Sequence, residues 1–322
     1  PRRELAWNGM ESNDMGVDDF LEFCRLIGAE PYIAVNAGLG DAHSAAEEVE
    51  YVNGPVTSRL GRLRAENGHP EPYRVCWWGV GNEMYGKWQL GHMPLEKYIE
   101  KHNEFAKAMW AEDPSIKLVG VGNVGPWTVG MLTHAAGSMT ALSEHFYVGS
   151  KPDLVAHVRQ MPDSVRRIAD AHRKYRKEIA AVAGKPMPVA LDEWNYWYGP
   201  DLYGEIGTRY FLKDALGVAA ALHEYARQSD LYVMANYAQT VNVIGAIKTS
   251  KTAAEFETTG LVLKLYRQHF GSVPLATKVS QPLDAMAALS KDGKTLTVGI
   301  VNPTKEPLEL PLELQGVKIT GQ

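Results

Sequence analysis

The feature of this 322-residue chain that most constrains its fold is a rhythm in which short, almost unbroken apolar runs alternate with longer amphipathic ones. The short runs are Pro31 to Asn36, Tyr73 to Val80, Lys117 to Gly122, Ala141 to Tyr147, Met187 to Asp192 and Leu231 to Tyr237. Runs of this length without polar alternation fit strands covered on both faces, the condition of strands in a parallel sheet. Between them, Asp19 to Gly28, Leu95 to Glu112, Ser164 to Ala183, Thr208 to Gln228 and Thr258 to His269 repeat apolar residues at helical spacing. Asp19 and Glu22 read as a capping box for the first of these helices, and Gly28 reads as its stop. Parallel strands need crossover connections, so these units predict an α/β fold with right-handed βα crossovers.

Two architectures satisfy that pattern, a doubly wound open sheet and a (β/α)8 TIM barrel. No G-x-G-x-x-G follows the first strand, which argues against the dinucleotide-binding version. Conspicuous polar residues instead close several different strands: Asn36, Asn82-Glu83, His145, Asp192-Glu193 and Gln239. One mouth fed by many strand ends is the habit of the barrel. The expectation is therefore a partial (β/α)8 barrel over residues 1–270 with about six βα units, the first two strands falling before Pro1. After Gly271 the texture changes. Met286 to Ser290 and Thr295 to Val301, joined by Lys291-Asp292-Gly293-Lys294, read as a hairpin, and Leu308 to Leu314 alternates like a half-exposed strand. Residues 271–322 thus read as the start of a C-terminal all-β sandwich, with a strand ending in the Val317 to Gln322 tail.

Composition narrows the chemistry. Basic residues number 33 and acidic ones 38, interspersed, so no nucleic-acid footprint is expected. No apolar run approaches the roughly 20 residues of a membrane span, so no membrane partner is expected either. Cys24 and Cys76 are too few for a disulfide framework or a Cys-based zinc site, and no metal or other cofactor is expected.

Three stretches carry candidate chemistry. In Trp77-Trp78-Gly79-Val80-Gly81-Asn82-Glu83, an apolar strand ends in glycines and presents a carboxyl at its tip. Burial there would raise the pKa of Glu83, as a general acid requires. In Val189-Ala190-Leu191-Asp192-Glu193-Trp194-Asn195-Tyr196-Trp197-Tyr198, a second carboxyl closes an apolar strand beside four aromatic rings. Paired carboxyls flanked by rings suit a glycosidic bond, with one acting as acid and the other as nucleophile or base. Between these two, Ser143-Glu144-His145-Phe146-Tyr147 places a His and a Tyr where they could support the carboxylates. Gln239 reads as a hydroxyl-binding amide at the last strand end, Trp88 as an outer cleft wall and Trp127 as core packing.

The stretches WWGVGNEMYGKWQLGHM, SEHFY, LDEWNYWY and ANYAQTVNVIGAI, with the opening ELAWNGMESNDMGVDDFLEFCRLIGAEPYIAVNAGLG, resemble α-L-arabinofuranosidases of glycoside hydrolase family 51. The resemblance covers nearly the whole chain. It implies a barrel with a C-terminal β-sandwich and a retaining double displacement that releases terminal α-L-arabinofuranosyl residues from arabinose-containing oligo- or polysaccharides. It also implies catalytic roles for Glu83 (acid/base) and Glu193 (nucleophile), and substrate-binding or supporting roles for Asn82, His145, Tyr147, Gln239 and Trp88. Family members carry a further sugar-binding Glu and a Gly-Gly-Asn segment on strands for which this chain has no counterpart. They are often intracellular and oligomeric, so a cytoplasmic homo-oligomer is compatible with the resemblance.

The residues alone leave rivals open. One is another retaining barrel glycosidase of endo-β-glucanase type. A second is a metal-dependent barrel enzyme using Glu83, His145, Asp192 and Glu193, and a third is an inactive chain that still binds sugar. No H-x-H or H-E-x-x-H spacing supports the metal version.

Overall fold

A computed structural model describes residues 1–5, 9–199, 207–316 and 320. A short hairpin, β1 (Arg2–Arg3) and β2 (Met10–Glu11), precedes α1 (Val17–Ile27), β3 (Tyr32–Val35), α2 (Ala42–Asn53) and α3 (Arg59–Glu66). Next come β4 (Trp77–Val80), α4 (Leu95–Glu112), β5 (Lys117–Gly120), α5 (Pro126–His134), β6 (Ala141–Val148) and α6 (Leu154–Glu178). The chain continues through β7 (Val189–Tyr196), α7 (Leu212–Arg227), β8 (Tyr232–Tyr237), the β9 (Ile247–Thr249) and β10 (Ala254–Phe256) hairpin, and α8 (Thr258–His269). It closes with β11 (Val273–Leu275), β12 (Asp284–Leu289) and β13 (Leu296–Val301).

Strands β3 to β8 form one sheet in chain order, every neighbouring pair parallel. With helices between the strands, this is the curled wall of a partial (β/α)8 barrel. Strands β11 to β13 form a separate antiparallel sheet, as the Asp292-Gly293 turn predicts. His223 and Arg227 of α7 clasp Asp284 of β12 at 2.5 and 2.7 Å, tying that sheet to the barrel wall.

The barrel wall is organised by which way each residue faces. Trp78, Leu118 and Leu142 point outward and are fully buried under Tyr98, Phe105 and Met109 of α4 and Met131 of α5. A second outer cluster joins Met161 and Val165 of α6, Leu191 and Trp194 of β7, and Val218 of α7. The inward positions Tyr32, Trp77, Val119, Ala141, Ala190 and Met234, one from each strand, meet in a third cluster that forms the floor beneath the strand ends.

Several boundaries differ from the sequence expectation, each for a local reason. At the start of α1 the Asp19 carboxylate accepts the Gly16 N–H at 2.8 Å, the returning half of a capping box, in place of the expected Asp19–Glu22 pair. Helix α6 starts at Leu154, ten residues before Ser164, capped by Asp153 and running through Pro162. Helices α2, α3 and α5 escape periodicity analysis because they are short or rich in Ala, Glu and Arg. Leu308 to Leu314 is not a strand: Leu308, Leu310 and Leu312 are 49, 44 and 61% exposed. Ala6, Trp7 and Asn8 of the opening motif, and residues 317–319 and 321–322 of the C-terminal tail, lie outside the described residues.

Candidate active site

The C-terminal ends of β4, β6 and β7 bring three carboxyl groups, a histidine and a tyrosine together. Strand β4 ends at Val80, and the chain turns through Gly81 at φ 84°, where a Cβ would sit 2.8 Å from the Ala37 side chain. Glu83 follows at φ 45°, in the left-handed region that costs a non-glycine residue roughly 1–2 kcal/mol. A backbone held there by its surroundings is typical of functional sites. Strand β6 presents His145 and Tyr147 inward, two residues apart on one face.

Strand β7 does something a regular strand cannot. Ser143 pairs with Ala190 and His145 with Glu193, so three residue steps on β7 match two on β6. The same surplus recurs against β8, where Leu191 pairs with Ala235 and Trp194 with Tyr237. This is a β-bulge, and it breaks the strict alternation that would send consecutive residues to opposite faces. Asp192 and Glu193 both reach His145 because of it, at 2.9 Å from Nε2 and 3.6 Å from Nδ1.

The hydrogen bonds form a line across the barrel interior. Tyr32 donates to Asp192 Oδ2 at 2.9 Å, His145 Nε2 bonds Asp192 Oδ1 at 2.9 Å, and His145 Nδ1 bonds Glu83 Oε1 at 2.9 Å. The Trp88 indole N–H donates to the other oxygen of Glu83, and Tyr147 donates to Glu193 Oε2 at 2.7 Å. Carboxylate oxygens of Glu83 and Glu193 lie within 4.8 Å of each other and of a His145 nitrogen. Their side chains keep 15 and 29% of their exposure, so the pair is sunken and open at one end.

These neighbours set the charges. Burial works against the His145 imidazolium, but its bonds to Asp192 and Glu83 and the charges of Asp192 and Glu193 push its pKa up to about 10. Both ring nitrogens face carboxylate oxygens, Glu83 Oε1 from Nδ1 and Asp192 Oδ1 from Nε2. Burial raises the Glu83 pKa, yet the bonds from His145 and Trp88 and the charge of His145 outweigh it and leave the group below the usual range. This corrects the expectation that the apolar strand and the tryptophans would lift it. Trp88 acts on Glu83 through its polar edge, not only its apolar ring. Glu193 moves the other way, raised by burial against the charge of His145 and the bond from Tyr147.

The remaining candidates fall around this line. Asn82 is half-buried beside Glu83, and no described residue bonds its side-chain amide. Trp88 is 57% exposed and meets Tyr85 edge-on at 6.1 Å, forming a rim. Trp127 stacks on Tyr98 and touches Tyr85 edge-on at 5.6 Å, so it backs the Glu83 turn from the core. Gln239 is exposed after β8, its amide bonding Val241 O at 3.0 Å. That segment is pinned by Asn195, which donates to Ala238 O and Ile244 O. Asn36 spends its side chain on the turn after β3, accepting from Leu39 N and Gly40 N. Sequence reasoning missed Tyr32, Asn195 and the supporting part played by Asp192. The available signal was a tyrosine at an inward position of an otherwise apolar strand.

The family model described as "Alpha-L-arabinofuranosidase 1 domain" matches residues 1–177, more than half of the chain. The model "Alpha-L-arabinofuranosidase C-terminal domain" matches residues 192–322. The chain belongs to glycoside hydrolase family 51. The probable α-L-arabinofuranosidase C of Aspergillus clavatus is 33% identical over 303 residues, covering 87% of this chain and 59% of that relative. The intracellular exo-α-(1→5)-L-arabinofuranosidase 1 of Bacillus subtilis is 29% identical, over 98% of this chain and 70% of the relative. An arabinose complex of the Thermotoga maritima α-L-arabinofuranosidase superposes with a TM-score of 0.87 at 34% identity, covering 93% of this chain and 66% of that one. The family 51 enzyme of Thermotoga petrophila gives 0.84 at 34% identity, covering 94% and 67%. The chain thus spans 59% of the length of the Aspergillus relative.

Proposed function

We propose that this chain carries the reacting pair of a retaining α-L-arabinofuranosidase, which releases terminal α-L-arabinofuranosyl residues from arabinose-containing oligo- or polysaccharides. Residues 1–270 are then the catalytic barrel portion and residues 271–322 the start of the β-sandwich. The observation that carries the reading is the approach of Glu83 and Glu193 to within 4.8 Å across one sunken mouth. Retaining glycosidases hold their carboxyls about 5–5.5 Å apart, whereas an inverting enzyme needs roughly 6.5–9.5 Å to fit a water between them. The names of the family relatives supply the sugar.

Glu193 is the nucleophile in this reading. The Tyr147 hydroxyl holds the carboxylate in place and stabilises its ionised form. Attack on the anomeric carbon forms a glycosyl ester on Glu193, and the leaving oxygen takes a proton from Glu83. Water then attacks the ester with Glu83 as base, so the sugar departs with its original configuration. In the free site the lowered Glu83 suits the second step, in which it must accept a proton. For the first step Glu83 must carry a proton, which it takes from solvent at the open end of the site, where its side chain keeps 15% of its exposure. Asn82 and Gln239 are sugar-binding amides, and Trp88 borders the leaving-group side.

The test is hydrolysis of an aryl α-L-arabinofuranoside by the 322-residue chain, with carboxymethyl-cellulose as the competing substrate class. The reading expects arabinose release that Glu193→Ala abolishes, with the α anomer appearing first by NMR. Release of the β anomer first, or cleavage of the cellulose polymer instead, overturns it.

A further inference from the structure

We propose that Tyr32, on the barrel floor, is a positioning residue for the acid/base step: its hydroxyl fixes Asp192, and through Asp192 holds the His145 ring against Glu83. This goes beyond the catalytic pair and rests on the reading of Glu83 as acid/base.

The geometry is a relay of single contacts. Each oxygen of Asp192 has one donor, Tyr32 on Oδ2 and His145 Nε2 on Oδ1, both at 2.9 Å. Held from two sides, the carboxylate cannot rotate without breaking a bond. Its fixed Oδ1 sets the plane of the imidazole, whose far nitrogen meets Glu83 at 2.9 Å. The Asp192 side chain is 11% exposed, so water is a poor substitute for a missing donor. Tyr32 otherwise sits among apolar side chains, with Trp77, Val119, Ala141, Ala190 and Met234 around it. A hydroxyl in that layer has Asp192 as its partner.

The sequence makes room for the contact. A Cβ at position 79 would lie 2.6 Å from the Tyr32 hydroxyl and 3.1 Å from the carbon that bears it. Gly79 on β4 therefore clears the path by which the phenol reaches Asp192. Steric room on one strand, a hydroxyl on its neighbour and a bulged carboxylate on a third all converge on one histidine. A tyrosine serving only to fill the floor would need its ring but not its hydroxyl, and that difference can be measured.

Tyr32→Phe keeps the ring and removes the donor. In a double displacement the acid matters most when the leaving group is poor. Tyr32→Phe should therefore slow hydrolysis of an alkyl or oligosaccharide α-L-arabinofuranoside roughly tenfold or more, by analogy with other charge-assisted hydrogen bonds. It should leave glycosylation by an activated dinitrophenyl arabinofuranoside within about twofold, and KM unchanged. The basic limb of the kcat profile should move to higher pH, because Glu83 loses part of a donor that favours its ionised form. Gly79→Ala, which pushes the hydroxyl aside, should give the same leaving-group dependence, and the double variant should be no worse than Tyr32→Phe. Equal losses on both substrate classes, or no loss on either, overturn the proposal. Glu83→Ala serves as the reference. If it shows leaving-group dependence and Tyr32→Phe does not, the proposal alone fails. If Glu83→Ala shows none, the reading of Glu83 fails and takes the proposal with it.

Discussion

Strand β6 carries two carboxylate–histidine partnerships on its two faces, and they are built from adjacent residues. Outward, Glu144 meets His172 of α6 at 2.8 Å; inward, His145 meets Glu83 and Asp192 at 2.9 Å. Both are carboxylate–imidazole hydrogen bonds, but their surroundings differ. Glu144 also accepts from the Thr128 hydroxyl at 2.7 Å and from Val124 N at 2.8 Å, and it is 1% exposed. Every oxygen of it is spent on fixing the β5–α5 turn to the helix layer. Inward, three carboxylates surround one imidazolium, and Glu193 stays 29% exposed with a single donor, Tyr147, inside hydrogen-bond distance. A buried carboxylate–histidine contact makes a site only where some of its bonding capacity is left over and faces an opening.

The largest effect should come from the inward face. On the proposed assignment of Glu193 as nucleophile, Glu193→Ala should abolish turnover of every arabinofuranoside, since that group serves both steps. It should not lower unfolding stability at neutral pH. A carboxyl whose pKa is raised in the fold stabilises the protein at low pH and loses that contribution as pH rises through its titration, so its ionised form at pH 7 favours unfolding. Urea unfolding of the variant checks this. The outward face should behave in the opposite way. Glu144→Ala leaves the buried His172 and Thr128 hydroxyl, and Val124 N, without their acceptor. It should lower stability in the same unfolding assay by about 1–3 kcal/mol for each group left unsatisfied, with the pH limbs of any remaining activity unmoved. If Glu144→Ala shifts those limbs, the two faces are not independent and the comparison breaks.

Smaller effects sharpen the inward face. Tyr147→Phe removes the donor that favours ionised Glu193. The acid limb of kcat/KM should rise, narrowing the profile from its acid side, with roughly a tenfold loss at the optimum. Trp88→Phe removes one of the donors on Glu83, so the basic limb should rise while kcat changes by only a few-fold. Because Glu83, Glu193 and His145 titrate together, the limbs belong to the cluster and are compared only between variants.

Much of this was readable in the sequence, and the unread parts share one cause. Near-continuous apolar runs located all six barrel strands, because strands covered on both faces need them. Glu83, His145, Tyr147 and Glu193 stood out because a polar group at the tip of such a run has few structural uses. The bulge in β7 left no trace, since register is a relation between strands and not a property of Asp192-Glu193. Without it, alternation from the inward Ala190 keeps Asp192 facing the site but turns Glu193 away, and the two carboxylates cannot both reach His145. Glu144 lay unremarked inside the SEHFY motif because its partner, His172, is 28 residues further on. The direction of the Glu83 shift was misread for a related reason. Burial can be inferred from neighbours in sequence, but the opposing donors, His145 above all, arrive from other strands.

The central claim is that Glu193 attacks and Glu83 moves the proton, and azide separates the two directly. With Glu83→Ala and an activated aryl α-L-arabinofuranoside, the glycosyl-enzyme should accumulate until azide attacks the face opposite Glu193. NMR of the product should then show α-L-arabinofuranosyl azide. Glu193→Ala, which forms no such intermediate, should yield only the β azide or nothing. A β azide from Glu83→Ala, or an α azide from Glu193→Ala, would contradict the assignment of the pair.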